Sequence, residues 1–239
     1  QLRVNALRPV AISLDDYFVD RSHTPIDEQG KPDFEAIEAI DLELFNHHLE
    51  RLLAGEEVEI PRFDFRTGQR ALSGRRIRIT DNQPLIIEGI HGLNERLTEV
   101  VPRERKVKIY ISALTQLSLD QHNRIPTTDA RLIRRIVRDH QFRSHDALAT
   151  LRIWPSVRRG EHRNIFPFQE DADVMFNSAL IYELGMLRKH AQPLLEAIGP
   201  EHSEYSEAKR LLSFLAYFHA IEDDLVPANS ILREFIGGS

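Results

Sequence analysis

Short apolar runs alternate along this chain with longer segments in which apolar residues recur at helical spacing. The strand-like runs lie near residues 10–14, 84–90, 107–114 and 172–180, and helical spacing occupies 34–55, 128–142, 179–198 and 204–223. Strands that alternate with helices are typical of a parallel sheet covered on both faces. The pattern therefore predicts an α/β fold with a doubly wound parallel sheet, extended at its C-terminal end by helices.

Two of the predicted strands end abruptly at acidic residues. The stretch ISLDDYF carries Asp15 and Asp16 at the end of its apolar run, and PLIIEGI carries Glu88 in the same position. A single acid after a strand is usually a helix cap or a loop residue. Ligands of doubly wound sheets, however, bind beyond the carboxyl ends of the strands. The joint placement of three acids at two strand ends indicates a functional site.

Composition restricts the class of protein. The 239 residues are 41% hydrophobic and 28% charged, with no cysteine and a net charge of -6. Thiolate metal sites and disulfides are thereby excluded, and we expect a globular cytoplasmic protein that binds neither membranes nor nucleic acids. The 11 histidines lack metal-ligand spacing. Only His91 lies near the predicted site.

Several ordered motifs resemble the uridine kinase and phosphoribulokinase branch of the P-loop kinases. ISLDDYF, PRFDF, IIEGI and DARLIRRIVRD match, in order, its acid-bearing strand end, substrate segment, Walker-B-type strand and arginine-rich lid helix. The resemblance extends over residues 1 to about 180. RIVRDHQFRS and WPSVRRGE are closer still to the bacterial uridine-kinase-like domain that follows TGS and threonyl-tRNA-synthetase-like regions.

The resemblance implies an ATP-dependent kinase that transfers a phosphoryl group to a hydroxyl of a nucleoside or a similar small molecule. It also implies ATP as co-substrate, Mg²⁺ as cofactor and a homo-oligomeric assembly. Residues 1–239 are expected to form a single kinase-like domain, with a lid at about 125–165 and a C-terminal helical part at about 179–239.

One family motif is missing. Such kinases hold the ATP phosphates with GxxxxGK[ST], and these 239 residues contain no match. Residues 1–8 have the pattern of a helix tail, which in the family follows the phosphate loop. We therefore expect this loop to precede Gln1, although a relative that has lost nucleotide binding is the alternative.

The matched motifs also imply roles for particular residues. Asp15 is the expected catalytic residue, positioned to accept the proton of the acceptor hydroxyl and to hold Mg²⁺ together with Glu88. Arg135 and Arg138 match lid positions that contact phosphates, and Arg159 lies in a predicted mobile loop with Arg158 and Arg163. The expected substrate-binding residues are Tyr17, Phe18, Glu35, Phe63 and Arg66.

The segments that select the substrate depart from the uridine kinase pattern. Glu35 replaces the ribose-binding Asp, and Ala36 and Ile37 replace the His-Pro that follows it. Phe63 replaces a Tyr, and Gly68 stands where the family has its pyrimidine-contacting His. A site that has lost these hydrogen-bonding partners predicts another nucleoside or a non-nucleoside acceptor.

Other interpretations stay open at this point. A sugar-phosphate kinase like phosphoribulokinase and a nonenzymatic nucleotide-sensing or RNA-linked module are the alternative functions. The aromatic residues could form pocket-wall core instead of stacking on a base. For Arg131 and Arg134 on the lid helix, a solvated basic surface that pairs with nearby acids is the preferred interpretation.

Overall fold

The computed structural model describes residues 6–28, 30–80, 83–143 and 145–238. In chain order the strands and helices are β1 (Val10–Ser13), α1 (Leu42–Leu53), β2 (Val58–Asp64), β3 (Gln69–Ile77), β4 (Leu85–Glu88), β5 (Ile109–Ser112), α2 (Thr127–Arg143), α3 (Ala147–Asn164), β6 (Val174–Asn177), α4 (Glu183–Glu196), α5 (Tyr205–Leu215) and α6 (Arg233–Ile236). The chain divides into two compact units, one formed by residues 1–110 and 159–174 and the other by 111–158 and 175–239.

The α/β prediction is confirmed. Strands β1 and β4 pair in parallel although 71 residues separate Ser13 from Leu85 in the sequence. Strands β5 and β6 form a second pair, and β2 and β3 form an antiparallel one, so the described residues contain three two-stranded sheets. No helix in the described ranges is long and apolar enough to cross a membrane.

The core of the first unit joins the acid-bearing strand to helix α1. Ile12, Leu14 and Tyr17 are almost fully buried against α1 residues such as Phe45 and Leu49. Helix α1 begins where the Asp41 carboxylate accepts a hydrogen bond from the Leu44 N–H at 2.9 Å. Because the apolar face of α1 packs on β1 and on the turn after it, the acids at the strand end have a rigid support.

A tight turn joins β2 to β3 in the same unit. The Gly68 N–H donates to the Asp64 carbonyl at 2.7 Å, and the Asp64 carboxylate accepts from the Arg66 N–H at 2.8 Å. Gly68 adopts a φ of 72°, a conformation that favours glycine. The hairpin thereby places the PRFDF segment next to the 3₁₀ turn Leu14–Tyr17 that follows β1.

The second unit has a helical core built around α2. Leu132, Ile133 and Ile136 on α2 are almost completely buried and pack with α4, α5 and α6. Arg134 also points inward, where its guanidinium contacts the Glu183 carboxylate at 2.5 Å and the Ser178 carbonyl at 2.9 Å. Arg134 thus pairs with an acid as predicted, but the prediction of a solvated position is wrong, because both side chains of the pair are buried.

Several local predictions also need correction. The helical pattern from residue 34 yields a helix only from Leu42, since the Asp41 cap lies there. Strand β4 alternates between half-buried and exposed residues instead of being buried, because within the described residues its one partner strand is β1. The segment with Arg158, Arg159 and Arg163 is not a loop but part of α3. Residues 1–5 of the predicted N-terminal helix tail lie outside the described residues.

Candidate active site

The two acid-bearing strand ends meet at one edge of the β1–β4 pair. Ser13 is the register partner of Glu88, so both strands end at the same level. Gly89 permits this close approach, because a Cβ atom at that position would lie 2.7 Å from the Leu14 Cβ. The sequence predicted that the acids of the two strands would converge, and the parallel register brings their backbones together.

Asp15, Asp16 and Glu88 have different surroundings at this edge. Asp15 and Glu88 are exposed, whereas Asp16 is half-buried. Burial raises the pKa of the Asp16 carboxyl, against the lowering effects of Arg75, of the Phe63 N–H and of Arg62, and the Glu88 charge raises it further. Asp16 is thus close enough to Glu88 for their charges to interact.

Arg75 is a basic residue of this edge that the sequence motifs missed. It lies on β3, and its guanidinium donates to the Ala11 carbonyl on β1 at 2.8 Å. Its positive charge lowers the pKa of Asp16. Arg75 reaches β1 because β3 runs back antiparallel to β2. No local sequence signal therefore identifies it. It offsets part of the negative charge of the acids.

Three phenylalanines form an aromatic cluster beside the acids. The ring centroids of Phe18 and Phe63 lie 5.5 Å apart, and those of Phe63 and Phe65 lie 5.1 Å apart. Phe65 is 55% exposed, whereas Phe63 is buried. The predicted substrate residues Phe18 and Phe63 therefore belong to one cluster, whose accessible side is Phe65, a residue that the motif comparison missed.

Tyr17 is a core residue and does not belong to the exposed side of the aromatic cluster. It is fully buried, its ring packs edge-on against Phe45 at 4.8 Å, and its hydroxyl hydrogen-bonds His48 Nδ1 at 3.0 Å. Burial raises the pKa of the Tyr17 hydroxyl, and the Asp16 charge adds to this effect. The packing interpretation fits Tyr17 better than base stacking.

Glu35 lies in a segment that the C-terminal part of α3 holds in place. Arg163 forms an ion pair with Asp33 at 2.8 Å, and the Asn164 side chain donates to the Glu35 carbonyl. A Cβ atom at Gly160 would lie 2.7 Å from the Glu35 Cβ, so only glycine allows this contact with the helix. Arg159, the predicted phosphate contact of the same helix, is exposed.

His91 links the loop after β4 to the Glu35 segment. It is 2% exposed, and the Ala36 backbone is its hydrogen-bonding partner. Burial lowers the pKa of His91 from 6.5 to about 4, although the Ala36 bond opposes this change. His91 is therefore neutral near pH 7. Its burial fits a residue that positions two segments better than one that contacts ligand.

The lowered pKa of His91 predicts a loss of stability in mild acid. Between pH 6.5 and about 4 the unfolded chain binds a proton that the folded chain does not, so this contribution is complete above 6.5 and falls as the pH decreases. The loss should approach about 3 kcal/mol near pH 4. Urea unfolding at several pH values measures it. The His91→Asn variant should show a flatter profile, and an equally steep one would contradict the assignment.

Arg66 belongs to the first unit, and the lid residues Arg135 and Arg138 belong to the second. Arg66 is exposed in the β2–β3 turn. In the second unit, Arg135 Nε donates to the buried carboxylate of Asp139 at 3.1 Å, and Arg138 lies 3.6 Å from the same carboxylate. Burial and the charge of Arg143 lower the pKa of Arg138. Both predicted phosphate contacts line a cavity of about 330 Å³ in that unit.

The described residues contain no group of three or more His, Asp or Glu side chains arranged to hold a metal ion. The predicted metal ligands Asp15 and Glu88 are both exposed, and the strand register places Glu88 level with Ser13, two residues before Asp15. Because Mg²⁺ in kinases is held by one or two carboxylates with several waters and substrate phosphates, this donor set fits that ion.

Comparison with known proteins agrees with the motifs. Uridine kinase of Chloroflexus aurantiacus is 29% identical over 175 residues, which are 73% of this chain and 75% of that protein. Uridine kinase of Bacillus pumilus is 29% identical over 161 residues, 66% of this chain and 68% of that protein. Uridine kinase of Halobacterium salinarum is 26% identical over 165 residues, 69% of this chain and 65% of that protein.

The family model described as "Phosphoribulokinase / Uridine kinase family" matches residues 12–181. This match begins at β1, includes the edge with Asp15, Asp16 and Glu88, and covers more than two thirds of the 239 residues. The α/β class and the kinase character predicted from the sequence agree with it. The chain belongs to the phosphoribulokinase and uridine kinase family of kinases.

Proposed function

We propose that this chain transfers the γ-phosphoryl group of ATP to a hydroxyl of a nucleoside or a similar small molecule at the β1–β4 edge. The observation that carries the proposal is the register of Ser13 with Glu88, which brings both acid-bearing strand ends to one edge. Phosphoryl transfer requires the protein mainly to align the acceptor and to neutralise charge. Acidic side chains just past the ends of two paired parallel strands are suited to aligning the acceptor.

Asp15 is the residue that we assign to the acceptor hydroxyl. It lies on the 3₁₀ turn after β1 and is exposed, so a bound acceptor can reach its carboxylate. The carboxylate accepts the hydroxyl proton as the oxygen attacks the γ-phosphorus. Asp16 is less suited, because it is half-buried and accepts a hydrogen bond from the Phe63 N–H. Its contribution is to hold the turn against β2.

Asp15 and Glu88 are also the residues that would hold Mg²⁺. Bound there, Mg²⁺ would supply positive charge that offsets the negative charge of the phosphates. Both carboxylates are exposed at one edge, which leaves room for the waters and phosphates that complete the coordination. Arg75 limits the uncompensated negative charge of the edge when no cation is bound.

The remaining roles complete the proposal. Phe18, Phe63 and the exposed Phe65 form the wall on which the acceptor packs, and Glu35 and Arg66 supply polar contacts. For Arg135, Arg138 and Arg159 we keep the phosphate-binding role that the family motifs imply. In this scheme residues 1–239 form one kinase-like domain with its lid at about 125–165.

Acceptor-dependent ADP formation tests the proposal. The complete gene product is assayed with ATP and Mg²⁺ against a panel of nucleosides, sugars and sugar phosphates. We expect turnover with at least one acceptor and none in EDTA. Glu88→Gln should raise the Mg²⁺ concentration needed for half-maximal rate by about 10-fold or more, since it removes a charged ligand. Acceptor-dependent turnover that persists unchanged in EDTA would contradict the metal assignment, and its absence with every acceptor would contradict the function.

A further inference from the structure

The Asp139 carboxylate is surrounded by arginines of helix α2 in the second unit. Its side chain is completely buried, and three guanidinium groups lie close to its oxygens, those of Arg135 at 3.1 Å, Arg138 at 3.6 Å and Arg143 at 3.5 Å. A carboxylate can be buried in its charged form only where such partners compensate it. The Asp139 carboxylate is therefore held in place, and the three arginines share it as an anchor.

This anchor uses only one edge of the Arg135 guanidinium. Arg135 Nε donates to Asp139 Oδ2 at 3.1 Å, one turn further along the helix. A guanidinium has five N–H donors, so the four on its terminal nitrogens are not needed for this bond. Arg135 and Arg138 both line the cavity of about 330 Å³ in this unit. The bond thus fixes the inner edge of a group that lines the cavity.

Two buried polar atoms beside this anchor have no hydrogen-bond partner within the described residues. They are Arg138 Nε and Asp139 Oδ1, which lie 3.6 Å apart. A buried donor or acceptor without a partner costs free energy. A movement of Arg138 by under about 1 Å would bring the two atoms to hydrogen-bond distance. Hydrogen bonds that are long in the free protein and tighten when a ligand binds are typical of functional sites.

Positive charge is in excess around the cavity. The described residues that line it include four arginines and one acid, namely Arg131, Arg134, Arg135, Arg138 and Glu234. Burial and the charges of Arg143 and Arg135 lower the pKa of Arg138, and the charges of Asp139 and Glu234 oppose this change only in part. Guanidinium groups pair with phosphate oxygens through two parallel hydrogen bonds. The cavity therefore favours a ligand with several anionic oxygens.

We propose that Asp139 is a positioning residue for the phosphate chain of ATP, because it holds Arg135 and Arg138 in the orientation that binds phosphate oxygens. The inference rests on the proposed function and deepens the phosphate-binding role of these two arginines. Asp139 itself touches no phosphate, since its carboxylate is buried and has the same sign of charge. A purely stabilising role for Asp139 is the competing explanation, and it predicts different kinetics.

The first test compares Asp139→Asn with the wild-type complete gene product, below the unfolding temperature of both. Asparagine keeps the size of the side chain, removes its charge and places an NH₂ group among guanidinium donors. We expect kcat/KM for ATP to fall about 10-fold or more, the effect of misplaced charge-assisted contacts. The KM for the acceptor should stay within about twofold. An unchanged kcat/KM for ATP, or a change confined to the acceptor, would overturn the inference.

Asp129→Asn is the matched control. Asp129 is a buried acid of the same helix, and its carboxylate accepts from Arg210 at 2.7 and 2.8 Å. Neither Asp129 nor Arg210 is among the described residues that line the cavity. The control should lower the unfolding temperature, as Asp139→Asn does, and leave kcat/KM for ATP within about twofold. An equal fall of kcat/KM in both variants would assign Asp139 to stability alone and overturn the inference.

A double-variant cycle tests whether Asp139 acts through Arg135. Arg135→Gln alone should also lower kcat/KM for ATP. The loss in the combined variant Arg135→Gln with Asp139→Asn should be smaller than the product of the two single losses by about threefold or more, because a residue that is absent cannot be misplaced. Single losses that simply multiply would contradict the positioning role.

Calorimetric binding of inorganic tripolyphosphate tests the inference without turnover and with Asp139 intact. The variant is Arg135→Lys, since lysine keeps the charge but has one charged nitrogen, which pairing with Asp139 withdraws from the ligand. We expect Arg135→Lys to weaken tripolyphosphate binding about 10-fold. Wild-type affinity in this variant, or no binding to the wild type, would overturn the inference. Failure of the proposed function differs, because it shows as binding that depends on Arg135 and Asp139 without acceptor-dependent ADP formation.

Discussion

Replacing Asp15 with asparagine is expected to lower kcat for phosphoryl transfer by about 10²- to 10⁴-fold, the range for loss of a positioned proton acceptor. Asparagine keeps the size and the exposed position of the side chain on the turn after β1. It lacks the negative charge that accepts the hydroxyl proton. Because Phe18, Phe63 and Phe65 form the wall on which the acceptor packs, the KM for the acceptor should change much less than kcat.

The control for this variant is Glu104→Gln. Glu104 is an exposed acid of the 3₁₀ turn Arg103–Arg105 and lies outside the proposed site. Steady-state kinetics of both variants in the complete gene product, together with ATP binding by calorimetry, gives the comparison. Retention of more than about a tenth of wild-type kcat by Asp15→Asn would contradict its role as proton acceptor. Loss of folding would appear as a changed thermal unfolding temperature.

The second large effect concerns the stability of the unit that carries α2. Arg134→Ala should reduce the free energy of unfolding by about 3–5 kcal/mol, the cost of leaving a buried charge without its partner. The side chains of Arg134 and Glu183 are only 9% and 4% exposed, and Glu183 also accepts the Leu180 N–H. The truncated variant therefore leaves a carboxylate inside the helical core.

Two further variants separate the charge effect from simple truncation. Arg152→Ala removes an ion pair with Glu204 from a more exposed site, where the Arg152 side chain is 53% exposed, and it should cost under about 1 kcal/mol. Combining Arg134→Met with Glu183→Leu removes both charges and should be less destabilising than Arg134→Ala alone. Urea unfolding of all three gives the result. A loss below about 1 kcal/mol for Arg134→Ala would contradict the buried pair.

The sequence predicted the elements whose signals are local. Strand β1 and strand β4 were identifiable because apolar runs end at Asp15 and Glu88, and α2 was identifiable from its helical spacing. Parallel packing then explains why both strand ends meet at one edge. The resemblance to a kinase family rested on the motifs in these elements, on the PRFDF segment and on their order.

Residues brought in by distant backbone segments could not be predicted in this way. Arg75 reaches β1 through the return of the β2–β3 hairpin. Arg134 is indistinguishable in sequence from the other arginines of α2 until Glu183 is placed beside it. Gly160 lies within α3 and not in a loop. A glycine is needed there because Glu35 packs where a side chain at position 160 would lie.

The central claim is that the acidic edge of β1 and β4 supports transfer of a phosphoryl group to a hydroxyl. Phosphorus NMR of the complete gene product with ATP, Mg²⁺ and the acceptor panel measures this directly. The account predicts that the γ-phosphate signal of ATP is replaced by those of ADP and of a new phosphomonoester in equal amounts. Release of inorganic phosphate alone, or ATP left unchanged with every acceptor, would contradict it.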